Sequence, residues 1–271
     1  MGRDENVLIF QDTEKICKTN EKIRTSVNKA KADQKLILET DNLSDQKKDL
    51  YEEKAKVVIS KKRSFEAAAR YKSQKVMVHN FASATGPGGG VTRGATAQEE
   101  CLCRCSGLYF CLNTQIMWDG FYKPHRNAND PINNGDIIYT PGITVFKSDT
   151  ANPQLMPESD WYDVDIVTCA APKLRQAKIK DKELQEIHEK RLHRILEVSL
   201  ANGRDTVILG AFGCGAFQNN PEVVAAANRN VIKDYLHAFK NIEFAVYCSP
   251  RDDQNYRIFN RVLKEFCGGR K

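Results

Sequence analysis

Two neighbouring glutamates follow a cluster of glycines in the stretch VMVHNFASATGPGGGVTRGATAQEECLCRCSGLY. Glycines let a turn of backbone come close to a bulky polar group, and the N–H groups of such a turn favour an anion. Glu99 and Glu100 lie at the start of a predicted helix, where carboxyl groups can act as acid and base. The pattern therefore predicts a site that holds a phosphorylated sugar and performs acid/base chemistry on it.

The glutamate pair also has a purely structural explanation. Acidic residues in the first turn of a helix are favoured by the helix dipole alone. For an isolated pair, that explanation would be the better one. The glycines before Glu99, together with a second glycine loop later in the chain, favour the functional interpretation instead.

The second glycine loop, GAFGCGAFQNNPEVVA, directly follows a predicted strand and precedes a predicted helix. It contains Gly210, Gly213 and Gly215, with Phe212 and Phe217 among them. A strand-to-helix loop is the usual place for an anion held by backbone N–H groups. The alternative is an ordinary turn with two core aromatic residues. Because the chain has two such loops, we favour a diphosphate ligand.

The spacing of the glycines excludes the common nucleotide motifs. The chain has no G-x-x-x-x-G-K-[ST] sequence, so a P-loop is not predicted. The glycines at 86, 88 and 90 do not give the G-x-G-x-x-G register of a dinucleotide-binding fold. Another kind of loop must hold the phosphates.

Helices and strands alternate from residue 64 onward. Strands are predicted at 76–80, 137–146, 162–170, 206–209 and 244–247. Helices are predicted at 64–74, 97–117, 182–201, 221–239 and 254–266, and residues 118–136 are predicted to form a long surface loop. This alternation predicts a largely parallel or mixed sheet with helices on both faces, and a ligand beyond the carboxyl ends of the strands.

The first 63 residues are more polar than the rest. Helical spacing of Ile16, Ile23 and Val27 predicts an N-terminal helical extension, with a short strand at 35–39. The remaining residues, 64–271, are predicted to form a single catalytic domain.

The composition fits a protein with a substantial core. A chain of 271 residues with 41% hydrophobic residues can bury one α/β domain. No apolar run approaches the roughly 18 residues that a membrane span needs. The beginning, MGRDENVLIF, does not resemble a secretory signal. We therefore expect an intracellular, cytoplasmic protein without membrane partners, or a nuclear one in a eukaryotic host.

The net charge of +6 is modest and fits an anionic ligand. Basic residues are scattered, and the densest cluster, at 54–63, is typical of a solvated surface. Direct nucleic-acid binding is therefore not indicated.

The nine cysteines do not predict a metal site. Cys101, Cys103 and Cys105 lie two residues apart, and on a helix such side chains point in nearly opposite directions. No C-x-x-C pair is present. We expect buried thiols in a reducing compartment, and neither metal nor cofactor. Cys214 is distinguished by its place in the second glycine loop at a helix N-terminus, where its pKa could fall.

These motifs occur together in one known family. GGG, seven residues and then QEE resembles the signature of poly(ADP-ribose) glycohydrolases, and GCGAF resembles their diphosphate loop. The phrases HNFAS, IYTPGITVF, DIVTCAAP and QNNPEVVA extend the resemblance over residues 64–266 to the microbial, short-form branch. The resemblance implies a macrodomain-like three-layer α/β fold, with a mixed central sheet and helices on both faces, plus the N-terminal helical extension.

The resemblance also implies a reaction. Glu100 would be the catalytic acid/base, and Glu99 would bind hydroxyl groups of the ribose beside the scissile bond. The substrate would be poly(ADP-ribose) or an ADP-ribosylated protein, and the product ADP-ribose. Protonation of the leaving oxygen helps such a glycosidic bond to break, and a poorly solvated cleft with a second carboxylate favours a protonated acid.

Further residues would bind the ligand. The first loop would line the diphosphate and distal ribose, the second loop would close over the diphosphate, Phe217 would pack on the adenosine end and Asn80 would position the ribose. The ligand-binding residues implied by the resemblance are Asn80, Gly88, Gly89, Gly90, Val91, Gln98, Gly213, Cys214, Gly215, Ala216 and Phe217.

Two other functions remain open. The chain could remove mono-ADP-ribose from protein or nucleic acid, or it could bind ADP-ribose without cutting it. The presence of both Glu99 and Glu100 argues against a pure reader, because binding alone does not need an acid.

Overall fold

A single mixed sheet forms the centre of the molecule. The computed structural model describes residues 2–43, 46–249 and 251–268. The strands in these residues are β1 (Lys35–Ile37), β2 (Lys56–Ser60), β3 (Val76–Ala82), β4 (Ile137–Val145), β5 (Tyr162–Ala170), β6 (Thr206–Leu209) and β7 (Asn241–Ala245). They are hydrogen-bonded in the order β1-β4-β5-β3-β6-β7-β2.

Most neighbouring strands in this sheet are parallel. β5, β3, β6, β7 and β2 run in one direction, while β4 is antiparallel to both β5 and β1. The carboxyl ends of the five parallel strands therefore meet at one edge of the sheet, which is where such folds bind ligands. The predicted Pro-Gly interruption of β4 is a register shift between Thr140 and Ile143, and the strand continues through it.

Helices cover both faces of the sheet. The α-helices are α1 (Arg3–Thr19), α2 (Glu21–Ala32), α3 (Ser64–Ala68), α4 (Gln98–Cys105), α5 (Leu108–Leu112), α6 (Gln115–Met117), α7 (Lys123–Ala128), α8 (Asp181–Ala201), α9 (Pro221–Ile232) and α10 (Gln254–Val262). Short 3₁₀ turns lie at Ala69–Tyr71, Val91–Arg93, Glu158–Asp160, Lys233–Tyr235 and Lys264–Phe266, and a π-helical turn at Trp118–Tyr122. Within the described residues, no helix combines the length and apolar character needed to cross a membrane.

The side chains of β3 show how the layers are separated. Val76 and Val78 belong to one core, which includes residues of α1, α2, α4 and α5. Met77 belongs to the other core, with residues of α8, α9 and α10. Because successive side chains of a strand point to opposite faces, one strand contributes to both cores. The predicted three-layer α/β fold, with a mixed sheet and helices on both faces, is confirmed.

The prediction of a single helix at 97–117 is wrong. The segment is divided into α4, α5 and α6. At the first break, Ser106 has extended backbone angles and pairs with Val145, the last residue of β4. Its hydroxyl donates to the Leu102 carbonyl and accepts from the Leu108 N–H, so the side chain satisfies the backbone groups that the break exposes.

The prediction of a surface loop at 118–136 is also wrong. The π-helical turn and α7 occupy its first half, and Phe121 and Tyr122 are completely buried. His125 is buried as well, with its two ring nitrogens 2.8 Å from the Phe121 carbonyl and 2.7 Å from Asn134 Oδ1. Prolines and asparagines suggested a loop, but the adjacent aromatic residues decide the structure by entering the core.

Several element ends differ from the predicted ones. α9 and α10 end at Ile232 and Val262, each with a 3₁₀ turn close behind, and β7 begins at Asn241, earlier than predicted. The apolar pattern continues through these 3₁₀ turns, so the hydrophobic spacing does not reveal where the α-helix ends.

The N-terminal segment contributes to the sheet as well as to the helices. β1, which lies within the predicted strand at 35–39, pairs with β4 at one edge, and β2 pairs with β7 at the other. Residues of α1 and α2, among them Phe10 and Ile23, are buried in the first core. A domain boundary at residue 63 stays a prediction.

A buried lysine fastens α1 to the rest of the fold. Lys147, only 2% exposed, follows β4 and donates to the Ile9 carbonyl at 3.0 Å and to Thr13 Oγ1 at 2.8 Å. Its ammonium group also lies 2.8 Å from Asp12 Oδ2. Thr13 is in turn 2.6 Å from the carbonyl of Arg104, at the end of α4. One ammonium group thus links α1 to the segment that follows β4.

We expect Lys147→Met to lower the free energy of unfolding by about 1–3 kcal/mol, because buried hydrogen-bond acceptors lose their donor. Urea denaturation of the full chain measures the change. Lys18→Met is the control, since Lys18 forms an exposed pair with Glu14 on the same helix and should change stability by less than about 0.5 kcal/mol. Equal effects of the two substitutions would show that Lys147 does not anchor α1.

Candidate active site

A cavity of about 340 Å³ opens at the carboxyl edge of the parallel strands. It is lined by segments that follow β2, β3, β5, β6 and β7 and by the first turn of α4. The predicted site residues that line it are Gly89, Gln98, Glu99, Glu100, Gly213, Gly215, Ala216 and Phe217. The fold therefore brings the two glycine loops and the glutamate pair to one place, with a volume suited to a small-molecule ligand.

The other predicted site residues lie behind the cavity wall or beside it. Asn80, on β3, is completely buried, and its amide is 3.4 Å from Glu99 Oε1 and 3.2 Å from Thr168 Oγ1. Gly90 donates its N–H to Glu100 at 2.8 Å. The predicted residues outside the cavity lining are Asn80, Gly88, Gly90, Val91 and Cys214. In this structure, Asn80 and Gly90 contact the glutamates that face the cavity.

Glu99 is almost completely buried, and both of its carboxyl oxygens are engaged. Oε2 accepts the Ser83 N–H at 2.8 Å, and Oε1 faces the Asn80 amide. Burial, together with the nearby charge of Glu100, raises the pKa of Glu99 to about 8, against the hydrogen bonds that lower it. The carboxyl group therefore retains a proton at neutral pH.

Glu100 differs from its neighbour in its hydrogen bonding. Its Oε1 accepts the Gly90 N–H, while Oε2 is buried and has no hydrogen-bond partner among the described residues. A carboxyl group with one oxygen fixed and one oxygen without a protein partner can exchange a proton with a bound ligand.

Gly89 explains why the first loop needs glycine. Its φ is +58°, and a Cβ atom there would lie 2.5 Å from Glu100 Oε1 and 3.1 Å from Glu99 Oε2. The sequence predicts that the glycines allow close approach to a ligand. At Gly89, the close approach is to the two carboxyl groups.

Gln98 fixes the direction of the first turn of α4. Its Oε1 accepts the Phe81 N–H at 2.9 Å, and its Nε2 donates to the His79 carbonyl at 2.7 Å and to Ser64 Oγ at 3.0 Å. These bonds tie α4 to β3, so the two glutamates that follow Gln98 are held at the cavity.

The second loop is held close to β5 and to an aromatic cluster. Gly213 has a φ of +78°, and a Cβ atom there would lie 2.7 Å from Ala171 Cβ. Phe212 also lines the cavity and packs against His79, with ring centres 4.5 Å apart. The expectation of a lowered pKa for Cys214 is wrong, because desolvation of the thiol raises its pKa.

Several cavity residues have no sequence motif that could have identified them. Asp149 is buried and lines the cavity, with Oδ2 accepting the Phe65 N–H at 3.0 Å and Oδ1 without a partner among the described residues. Burial raises its pKa to about 6. The Arg63 guanidinium lies 4.1 Å from the ring centre of Tyr247, which is 50% exposed. These residues reach the cavity only through the fold.

The described residues contain no cluster of three or more histidine, cysteine, aspartate or glutamate side chains arranged to hold a metal ion. Cys101, Cys103 and Cys105 are buried, and Cys101 lines the cavity. Burial raises the pKa of each of these thiols.

Comparison with known families gives one clear match. Residues 4–148, slightly more than half of the chain, match the family model described as the catalytic domain of microbial-type poly(ADP-ribose) glycohydrolase, PARG. No curated protein sequence matches the chain.

Solved structures give matches over most of the chain. Poly(ADP-ribose) glycohydrolase from Thermomonospora curvata is 28% identical, with a TM-score of 0.87 over 95% of this chain and 98% of that one. The same enzyme bound to the inhibitor ADP-HPD is 29% identical, with a TM-score of 0.84 over 94% and 98% of the two chains. The Deinococcus radiodurans enzyme in complex with ADP-ribose is 27% identical, with a TM-score of 0.78 over 89% and 98%.

The raised pKa of Glu99 gives a testable dependence of stability on pH. The folded state holds a proton that the unfolded state releases above pH 4.5, so this group makes the free energy of unfolding fall between pH 4.5 and about 8. The fall is at most about 1.4 kcal/mol per pH unit. We expect Glu99→Gln to remove it in urea denaturation at a series of pH values. If the free energy of unfolding depended on pH in the same way in Glu99→Gln and in the wild type, a raised pKa of Glu99 would be contradicted.

A substitution of Gly89 would lower stability both by backbone strain and by a clash with the carboxyl groups, and a second glycine distinguishes the two effects. Gly89→Ala should lower the free energy of unfolding by about 1–3 kcal/mol more than Gly203→Ala. Gly203 has a similar φ of +66° but open space around it, so it measures the strain alone. The comparison uses urea denaturation of both variants. Equal losses would mean that the loop does not press against Glu100.

Proposed function

This chain belongs to the microbial-type poly(ADP-ribose) glycohydrolase family, and on that premise we propose that its cavity hydrolyses ribose–ribose O-glycosidic bonds and releases ADP-ribose. The observation that carries the proposal is the environment of Glu100. This carboxyl group lines the cavity, with one oxygen fixed by Gly90 and the other without a hydrogen-bond partner in the described part of the chain. Similar structures hold ADP-ribose or the inhibitor ADP-HPD, which supports the same class of ligand here.

Glu100 acts first as an acid and then as a base. Cleavage of the glycosidic bond passes through an oxocarbenium-like state and is helped by a proton on the leaving oxygen. The proton that the carboxyl pair holds at neutral pH moves onto Oε2 of Glu100 and passes from there to the leaving ribose oxygen. The resulting carboxylate then takes a proton from the water that attacks the sugar carbon. The Gly90 N–H holds the other oxygen during both steps.

Glu99 binds and orients the sugar. Both of its oxygens accept hydrogen bonds from β3 and from the start of the first loop, so the group is held in one position. Ribose hydroxyls reach this carboxyl group from the cavity side. A proton on Glu99 at neutral pH also reduces the negative charge that a diphosphate ligand would meet.

The glycine loops bind the rest of the ligand. Backbone N–H groups of the two loops face the diphosphate, and Gly215 and Ala216 close over it from the second loop. Phe217 lines the cavity and packs against the adenosine end. The polymer attached to a modified protein is the natural substrate of such a site.

We place this reaction inside the cell. All nine cysteines lie in the described residues and are free thiols, which fits a reducing compartment. A pure ADP-ribose reader is the weaker proposal, because recognition alone gives no reason to bury a carboxyl group in the cavity wall with one oxygen that no described residue contacts by a hydrogen bond.

We expect Glu100→Gln to reduce ADP-ribose release from poly(ADP-ribosyl)ated protein by about 10²–10⁴-fold, because the amide cannot donate the required proton. The affinity for ADP-ribose, measured by calorimetry, should change only a few-fold, since the amide oxygen can still accept the Gly90 N–H. Glu158→Gln, an exposed glutamate, is the control and should retain wild-type turnover. Unchanged turnover of Glu100→Gln would remove Glu100 from the mechanism.

A further inference from the structure

A buried asparagine lies directly behind the second glycine loop. Asn219 is only 2% exposed, and its Nδ2 donates to the Pro172 carbonyl at 2.7 Å and to the Gly213 carbonyl at 3.2 Å. Its main-chain N–H donates to the Gly213 carbonyl as well, at 3.0 Å. One residue therefore joins the glycine loop to the segment that follows β5.

A histidine on α8 fixes the orientation of that asparagine. His188 Nε2 lies 2.8 Å from Asn219 Oδ1. Because Nδ2 of Asn219 faces three backbone carbonyls, Oδ1 must be the acceptor, and His188 must carry its proton on Nε2. Burial lowers the pKa of His188 to about 4, so the ring is neutral at physiological pH. The pair forms a hydrogen-bond chain from α8 to the glycine loop.

The loop has little freedom to move against this pair. A Cβ atom on Gly213 would lie 2.9 Å from the Asn219 amide, so the two residues are in direct contact. The loop residues that line the cavity follow at once, at Gly213, Gly215, Ala216 and Phe217. Any shift of the amide changes the position of this wall of the cavity.

A second side chain of α8 holds the neighbouring wall. Arg191 lies three residues after His188 and is 4% exposed. Its guanidinium donates to the Ala170 carbonyl at 2.8 Å, the Ile132 carbonyl at 2.9 Å and the Asn133 carbonyl at 3.0 Å. Residues three apart share a helix face. One face of α8 thus supports both the end of β5 and the second loop.

We propose that Asn219 and His188 are positioning residues that hold the second glycine loop in its ligand-binding geometry before the ligand arrives. The inference rests on the proposed function, because it assigns the loop to the diphosphate of ADP-ribose. A loop that is already ordered loses little conformational entropy when the ligand binds. The hydrogen bonds behind the loop therefore increase the affinity for the ligand. Neither residue lines the cavity, so both act through the loop.

The test replaces Asn219 with aspartate. In Asn219→Asp, an oxygen takes the place of Nδ2 and faces the carbonyls of Pro172 and Gly213, which repel it. We expect the Kd for ADP-ribose and the KM for polymer to rise about 10- to 100-fold, with kcat within a few-fold of wild type. Asn228→Asp is the matched control, since Asn228 is also buried but its amide donates within α9, to the Val224 carbonyl.

Substitution of His188 provides a second test that leaves the sequence of the loop unchanged. His188→Ala should weaken ADP-ribose binding, and His188→Gln should restore part of it, because glutamine can still donate to Asn219. Wild-type affinity in both Asn219→Asp and His188→Ala would overturn the inference, as would an equal loss in Asn228→Asp. If the wild-type chain binds ADP-ribose but cuts no polymer, the proposed function fails, while the binding comparison still tests the positioning role.

Discussion

The burial of two adjacent carboxyl groups at the start of α4 is the constraint on which the rest of the site depends. Taking carboxylates out of water is costly unless hydrogen bonds compensate. Here Ser83, Gly90 and Asn80 supply donors to the pair, and Gly89 leaves the space that a side chain would fill. The same burial that is costly for folding raises the pKa of Glu99 and keeps a proton in the cavity. The burial that lowers the stability of the fold therefore occurs at the carboxyl groups that the reaction uses.

The fold holds the two walls of the cavity by separate means. The first glycine loop is fastened to the glutamates of α4, and α1 reaches its far end, where the Asn6 amide donates to the Gly94 carbonyl at 3.2 Å. The second loop is fastened from α8 through Asn219. Both loops leave parallel strands at the same edge of the sheet, so short connections suffice to bring them together.

Local sequence was enough to predict that the glycines form turns and that Glu99 and Glu100 lie at the start of a helix, because glycine and carboxylate spacing is typical of both features. It was also enough for the α/β alternation, since hydrophobic period distinguishes strands from helices. Local sequence did not predict the break at Ser106. There the pairing with β4 interrupts a helix, although the helical spacing of apolar residues continues past it. Asp149 and Asn219 were not predicted either, because each acts through partners that are distant in sequence.

Incubation of the full wild-type chain with purified poly(ADP-ribose) at neutral pH, with the products separated by chromatography, tests the assigned reaction most directly. The polymer should shorten while monomeric ADP-ribose accumulates. Intact polymer, with ADP-ribose bound but not released from any chain, would contradict a glycohydrolase and leave a reader. Release of ADP-ribose only from mono-ADP-ribosylated protein would contradict the polymer as substrate while keeping Glu100 as the acid.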